Sequence, residues 1–538
     1  MGNESELITL LCVMKNQQGE LLSTNLKIAK ASFILIVASI LVHLLSLGKE
    51  IIVAAKFGIT REMDAFYAAI TVPNLINCVL LSTFGAVFIP VFIKYKLRDK
   101  EEANRVASIV MNSFFLSFFF GTIIIFILAP WIIKYGFHGF DLETSTLAIK
   151  ILRIASFTLI FSGLIGIMTG ILNAYKHFTW PAFSQMFITL STVFFLLLFV
   201  RQWGIFVLVW GLLFGLIIQF FFLIPITKQK GYHYYFDFNW KHPAVKEMLK
   251  LGGIYFVAIV MSECNLVVDR VMASYLAPGS IAALGYAGKL VHVPLIIVSS
   301  SIATVVFPFF SQQVAEGKIE EMKDSLSKSI RMSGFIFIPL TVMLIVLAKP
   351  IIQLLFQRGA FTSQATELTA IILICYSFQL FFYTVGIIFG RVFLALQDMG
   401  SLLKVTVACV IMNIILNLVL MKIVSPPAAG IALSTSGVYF IAMFLLFLCL
   451  RKKSFYVKGE CVLQGISKMI LSSLFMGLGV FCVFEVSKKM VNVFSIINQI
   501  VCLGIAGIVG AIIFISFSFL FRIEEISKLR KMIYERNK

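Results

Sequence analysis

The chain has 538 residues, 60% of them hydrophobic and only 13% charged, with a formal net charge of +19. An ordinary soluble domain is roughly 45–50% apolar and about 25% charged, so a soluble globular protein is excluded. Nucleic acid is not the partner implied by the positive charge, because Lys and Arg gather in short loops between apolar runs, where they set membrane orientation.

Apolar runs of about 20 residues recur from Ala31 to Phe521, each long enough to cross a hydrocarbon core of roughly 30 Å. A β-barrel would show alternating segments of about ten residues instead. The pattern predicts an all-α polytopic membrane protein of about fourteen transmembrane helices. Before the first run, Leu7 to Met14 is apolar but too short to span. Glu4 and Glu6 stand where a secretory signal carries Lys or Arg. Residues 1–30 therefore read as a poorly structured cytoplasmic extension, and Met14, followed by Lys15, offers an alternative start.

The predicted spans are 31–57, 64–95, 103–134, 146–174, 180–201, 204–226, 247–276, 280–312, 326–356, 364–396, 401–422, 428–450, 463–487 and 496–521. The loops after even-numbered spans hold the basic residues: Lys94, Lys96, Arg98, Lys100 and Arg105; then Lys176; Lys228 and Lys230; Lys318 and Lys323; Arg451 to Lys453. The tail 523–538 is basic as well. By the positive-inside rule both termini are cytoplasmic. The nine cysteines are scattered, mostly in apolar runs, with no Cys-x-x-Cys or Cys/His spacing for a metal. No cofactor, metal site or catalytic constellation is expected, and no phosphate-binding Gly-x-x-x-x-Gly-Lys loop is present.

An internal repeat organises the runs. Ala54 to Gly58 followed by Asp64 to Ala68 recurs loosely as Ala273 to Ala277 followed by Ala283 to Ala287. Pro73 and Val87 to Phe92 recur as Pro294 and Val305 to Phe309. The offset of roughly 220 residues is six spans, which gives two parallel-related six-helix halves about an axis along the membrane normal. The predicted organisation is a lobe at 31–230, a second at 246–452, and two extra transmembrane helices at 460–522. A substrate cavity is then expected between the halves, with alternating access.

Ionisable and helix-breaking residues concentrate in the first two spans of each half. Lys49 and Glu50 lie inside the first span, Asp64 opens the second, Asp269 and Arg270 lie in the seventh, and Lys289 and His292 in the eighth. An intramembrane charge is a functional candidate by default. The plainer readings stand beside it: Lys49–Glu50 as a neutralising pair, Asp64 as a helix cap, and Asp269–Arg270 as a self-contained structural pair.

The ordered set of motifs resembles the MurJ/MviN family of lipid II flippases, within the multidrug/oligosaccharidyl-lipid/polysaccharide exporter superfamily. The motifs are Ile52 to Gly58, Met63 to Tyr67, Val72 to Leu75, Val87 to Val91, Leu354 to Thr362, Arg391 to Asp398, Asn413 to Leu418 and Ala429 to Ser436. The resemblance implies a flippase, not an enzyme, that moves an undecaprenyl-diphosphate-linked sugar from the inner to the outer leaflet of the bacterial plasma membrane. It also implies a groove for the lipid tail along the last two spans. Carried across, the family's cavity residues fall on Lys49, Glu50, Asp64 and Lys289. Family arginines fall near His43 and on Asn77. Asp269, Arg270, Arg358 and Arg391 are secondary candidates. The partners implied are the lipid-linked sugar, membrane lipids, and a coupling ion or the membrane potential. Lys keeps the charge of Arg but loses bidentate phosphate contact, and Asn77 carries none. An exopolysaccharide intermediate therefore stands beside lipid II as a second candidate substrate. A cation-coupled drug exporter and an inactive envelope scaffold are two further readings of the same residues.

Overall fold

A computed structural model describes residues 40–453, 459–490 and 495–526. The N-terminal extension 1–30, Met14 and tail residues 527–538 lie outside these described residues. Among the described residues twelve helices are long and apolar enough to cross a membrane. Two more, α1 (40–57) and α9 (Pro243–Ala273), fall on the first and seventh predicted spans.

The other helices follow the predicted spans closely. They are α2 (Arg61–Lys96), α3 (Lys100–Gly136), α4 (Leu142–Ser156), α5 (Thr158–Ala174), α6 (Thr179–Ser184), α7 (Met186–Trp203), α8 (Phe206–Gln229), α10 (Ser280–Pro294), α11 (Ser300–Ala315) and α12 (Ile319–Val346), then α13 (Ala348–Phe356), α14 (Ser363–Ser377), α15 (Gln379–Ala395), α16 (Met399–Ile423), α17 (Pro427–Lys452), α18 (Gly459–Met490) and α19 (Ile496–Leu520). Three differences are physical. The predicted ninth span, 326–356, is two helices, because Leu347 leaves helical geometry and Pro350, which has no N–H to give, sits in the first turn of α13. The eighth span is interrupted by a π-helical turn, Leu295–Ser299, directly after Pro294. The tenth is broken at Phe378, between α14 and α15.

The chain forms two compact units, each discontinuous in sequence. The first comprises 1–50, 76–126 and 153–255; the second comprises 51–75, 127–152 and 256–538. In lipid no hydrophobic force drives helices together, so close packing and interhelical hydrogen bonds must do so. In the first unit an i, i+4 ladder of Phe84, Phe88 and Phe92 on α2 stacks at 4.5 and 5.3 Å between ring centroids. It packs against Val106 and Val110 of α3, Ile167 and Ile171 of α5, and Leu223 of α8. Gly211 and Gly215 bring α8 onto the backbone of α7 at Thr192 and Ile188.

The first unit also holds a non-helical strap, residues 231–241, after α8. Non-helical backbone beside apolar helices needs its polar groups satisfied, and α3 supplies partners at every fourth residue. Asn104 donates to the Gly231 carbonyl at 3.2 Å. The Ser108 hydroxyl meets Tyr232 Oη at 2.9 Å and accepts from the Tyr235 N–H at 3.0 Å. Asn112 donates to the Asp237 carbonyl at 2.8 Å and accepts from Tyr234 Oη at 2.7 Å.

In the second unit one core gathers Phe310, Met322, Ile388, Phe389 and Phe393 from α11, α12 and α15, and another gathers Met476, Val480, Ala506 and Phe514 from α18 and α19. The corner after α1 packs on the loop after α13. Gly58 and Gly359 are both left-handed, with φ of +59°, and a Cβ on either would strike backbone, at Ala360 and at the Ala55 carbonyl respectively. The Ala360 N–H donates to the Ala55 carbonyl at 2.9 Å.

Candidate functional site: an ionisable cavity in the second unit

The second unit encloses a cavity of about 540 Å³, within the size range of ligand sites. Its walls show helical periodicity. On α10 the lining residues are Ile281, Gly285, Lys289 and His292; on α16 they are Leu402, Val405, Thr406 and Cys409; on α17 they are Thr435, Val438, Tyr439 and Ala442. Each set follows the three-to-four-residue repeat that puts side chains on one helix face. Glu263, Asp269 and Arg270 of α9, Tyr67 of α2, and Tyr376 and Tyr383 complete it.

Tyr67 organises the cationic side. Lys289 Nζ donates to its Oη at 2.9 Å and lies 5.0 Å from its ring centroid. Arg270 donates through Nη1 to the Tyr67 carbonyl at 3.1 Å and to Thr71 Oγ1 at 2.9 Å. Two cations are thereby held along one turn of α2.

Asp269 points elsewhere. Its Oδ1 accepts from Asn413 and Asn417 at 3.0 and 2.8 Å, and its Oδ2 from the Thr435 hydroxyl at 2.8 Å. Asn417 Oδ1 is buried without a hydrogen-bond partner. One carboxylate among neutral amide and hydroxyl oxygens presents a single negative charge and hard donors, which suits a small monovalent cation better than a thiophilic metal. Among the described residues no His/Cys/Asp/Glu cluster of metal-binding type occurs.

Asp64 is buried, and both carboxylate oxygens are engaged by the N-terminus of α10: the Gly279 N–H at 2.5 Å and the Ala282 N–H at 2.8 Å. It caps a helix other than its own. Lys49 and Glu50 form an ion pair at 2.8 Å in the first unit, which also contains His43 and Asn77. Arg358 turns back on its own helix, to the Leu354 carbonyl, and Arg391 lies 5.7 Å from the Phe307 ring; neither lines the cavity. The cavity residues not singled out from sequence are Tyr67, Glu263, Tyr376, Tyr383 and Tyr439. Tyr67 was legible only as part of the Met63 to Tyr67 motif.

The profile of the family described as "Lipid II flippase MurJ" matches residues 53–502. The chain belongs to this family. The "Probable lipid II flippase MurJ" of Buchnera aphidicola subsp. Acyrthosiphon pisum is 29% identical over 490 residues, covering 88% of this chain and 93% of that protein. The "Lipid II flippase MurJ" of Burkholderia cenocepacia is 25% identical over 435 residues, covering 78% and 83%. Among solved structures, "Lipid II flippase MurJ, inward closed conformation" aligns with a TM-score of 0.77 at 27% identity, over 92% of this chain and all of that one. An inward-facing multidrug-resistance MATE transporter aligns at 0.66 with 14% identity, covering 78% of this chain and 98% of that chain, which shows a shared fold alone. The MurJ-family assignment thus covers both units and the cavity.

Proposed function

We infer that this chain is a lipid II flippase of the bacterial plasma membrane, carrying the diphosphate-linked sugar head group from the cytoplasmic to the outer leaflet. The observation that carries the reading is the likeness to a MurJ structure over 92% of the chain at 27% identity. The cavity chemistry supports it. A diphosphate and its sugars do not cross hydrocarbon unaided. Lys289 and Arg270, fixed on Tyr67 and Thr71, offer positive charge and N–H donors to the diphosphate, and the tyrosines offer rings and hydroxyls to sugars. The cavity opens to one face of the membrane at a time while the polyprenyl tail stays in lipid, along α18 and α19.

Several finer assignments belong to this reading. His43, Lys49, Glu50 and Asn77 are substrate contacts of a lobe spanning 31–230, and Lys289 is one of a lobe spanning 246–452. Both termini face the cytoplasm, because the Lys- and Arg-rich loops follow even-numbered spans. No side chain performs catalysis. The work comes from an ion gradient or the membrane potential, and the cage of Asp269, Asn413, Asn417 and Thr435 is the seat for a coupling cation. A second substrate reading, an exopolysaccharide lipid intermediate, is favoured by Lys49 and Asn77 standing where the family carries Arg.

The experiment is replacement of the sole lipid II flippase of a bacterium by this chain, scoring growth and the outer-leaflet fraction of lipid II. Growth with lipid II exposed, lost on Lys289→Ala at equal membrane abundance, is the expected result. Membrane-inserted protein with lipid II trapped inside, while an exopolysaccharide intermediate is exposed in the native host, would move the reading to the second substrate.

A further inference from the structure

The first unit contains a second cavity, of about 580 Å³, that the transport reading does not use. Met111, Phe115 and Leu116 of α3, Leu164 and Met168 of α5, and Phe220 and Ile224 of α8 form its walls, and the strap residues Tyr232, Tyr234, Phe236 and Phe238 cover it. The lining is apolar except at one rim, where Thr227 and Lys228 stand. Phe236 is 82% exposed and Trp240 54%, which gives the strap the aromatic edge found at membrane–water interfaces.

That rim continues into a cluster of cations. Lys230 follows at the end of α8 and lies within electrostatic reach of His177. Lys100 Nζ lies beside Gly231, where an added Cβ would be 2.9 Å away. Lys96, resting 3.5 Å from the Tyr175 ring centroid, is within reach of both Lys100 and Lys176. Among the described residues none of Lys96, Lys100, Lys176, Lys228 and Lys230 has a carboxylate within ion-pair distance. The nearest acids on these elements are engaged elsewhere: Asp99 caps the Glu101 N–H, Glu102 faces His242 at 3.8 Å, and Asp237 accepts from the Asn239 N–H.

An uncompensated cationic rim beside an apolar cavity at the basic end of membrane helices has one complementary occupant. We propose that this cavity binds an anionic phospholipid of the cytoplasmic leaflet, with an acyl chain under the aromatic strap and the phosphate on Lys228, Lys230 and Lys100. The strap is held to α3 by the Asn104–Ser108–Asn112 ladder, so the roof is fixed independently of the lipid. The two ends act together: the chain selects depth and the lysines select head-group charge. This site is separate from the cavity of the second unit and does not depend on which lipid is transported.

The test is native mass spectrometry of the full chain titrated with phosphatidylglycerol, phosphatidylethanolamine or undecaprenyl phosphate. One phosphatidylglycerol is expected to bind in preference to phosphatidylethanolamine. Lys228→Gln/Lys230→Gln is expected to weaken that binding about 30-fold, the effect of two basic contacts at roughly one each. Leu116→Trp, which fills the cavity and leaves the lysines in place, is expected to weaken phosphatidylglycerol and leave binding of a short-chain, water-soluble phosphatidylglycerol head group unchanged. Lipid II binding by both variants reports that the chain is folded. Equal affinity for the two phospholipids, unchanged binding in both variants, or displacement of phosphatidylglycerol by an equimolar amount of undecaprenyl phosphate would each overturn the proposal.

Discussion

Asp64 offers the sharpest quantitative test of the second unit. An ordinary helix N-cap contributes about 1 kcal/mol. Here a buried carboxylate accepts from two N–H groups, of Gly279 and Ala282, at 2.5 and 2.8 Å. Charge-assisted bonds contribute about 1.5 kcal/mol or more each. Asp64→Ala, which removes both acceptors, therefore raises local opening at the start of α10 by about 3 kcal/mol, or on the order of 100-fold. Asp64→Asn retains one acceptor oxygen and loses about half, roughly tenfold. Hydrogen exchange of the peptide covering 277–284 reads these changes directly, because native-state exchange scales with the opening equilibrium. Arg61→Ala is the control: its exposed pair with Asp141 at 2.8 Å belongs to a class that contributes roughly 0–1 kcal/mol, so exchange at 277–284 should not move. If Asp64→Ala leaves exchange there within twofold of the parent, the carboxylate does not hold the corner and the reasoning fails.

Lys289→Arg is expected to preserve lipid II exposure and Lys289→Ala to abolish it. Tyr67→Phe, which removes only the phenol bond at 2.9 Å, should fall between them in a flipping assay, and full activity of Lys289→Ala would exclude Lys289 as a diphosphate contact. Arg331 is paired with Glu525 at 2.9 Å and Glu524 at 2.6 Å. Arg331→Met leaves Glu525 buried without its cation and should cost about 3 kcal/mol, seen as a lower unfolding midpoint in detergent, whereas Glu524→Gln, at the exposed partner, should cost less than about 1 kcal/mol. In the loop before α16, hydrogen bonds from Lys453 and Ser401 hold the Asp398 carboxyl well below the usual carboxylate range. Its folded-state affinity for protons is depressed, so its stabilisation is complete above the ordinary carboxylate pKa and is lost as pH falls below it. Lys453→Ala should therefore reduce the loss of stability between about pH 4 and pH 2, with no pH dependence from this group near neutrality.

The helices were legible in the sequence because hydrocarbon imposes one rule: about 20 apolar residues per crossing with all backbone groups paired internally. Partners of the intramembrane charges were far less legible. Asp269 and Arg270 are adjacent and of opposite sign, yet one goes to Asn413, Asn417 and Thr435 and the other to Tyr67 and Thr71. Successive helical side chains diverge by about 100°, so sequence adjacency sends them to different neighbours. Lys49 and Glu50 do meet, at 2.8 Å, through the reach of a long lysine stem. The capping reading of Asp64 was available from its residue type, but the helix it caps begins at Ser280, in the other half of the chain. Asn104, Ser108 and Asn112 form a four-residue repeat visible in the sequence. Its meaning was not visible, because the strap it holds has no periodicity of its own.

The paired corners at Gly58 and Gly359 bear on how this region can move. Backbone meets backbone there with no side chain between, joined by the Ala360–Ala55 hydrogen bond. Side chains give by changing rotamer, and peptide units do not. Such a joint has no soft intermediate: a separation of about one or two ångströms already forfeits the bond and the contact. The corner therefore behaves as a catch with two settings rather than as a spring, and any substituent larger than hydrogen at either glycine holds it in the released setting.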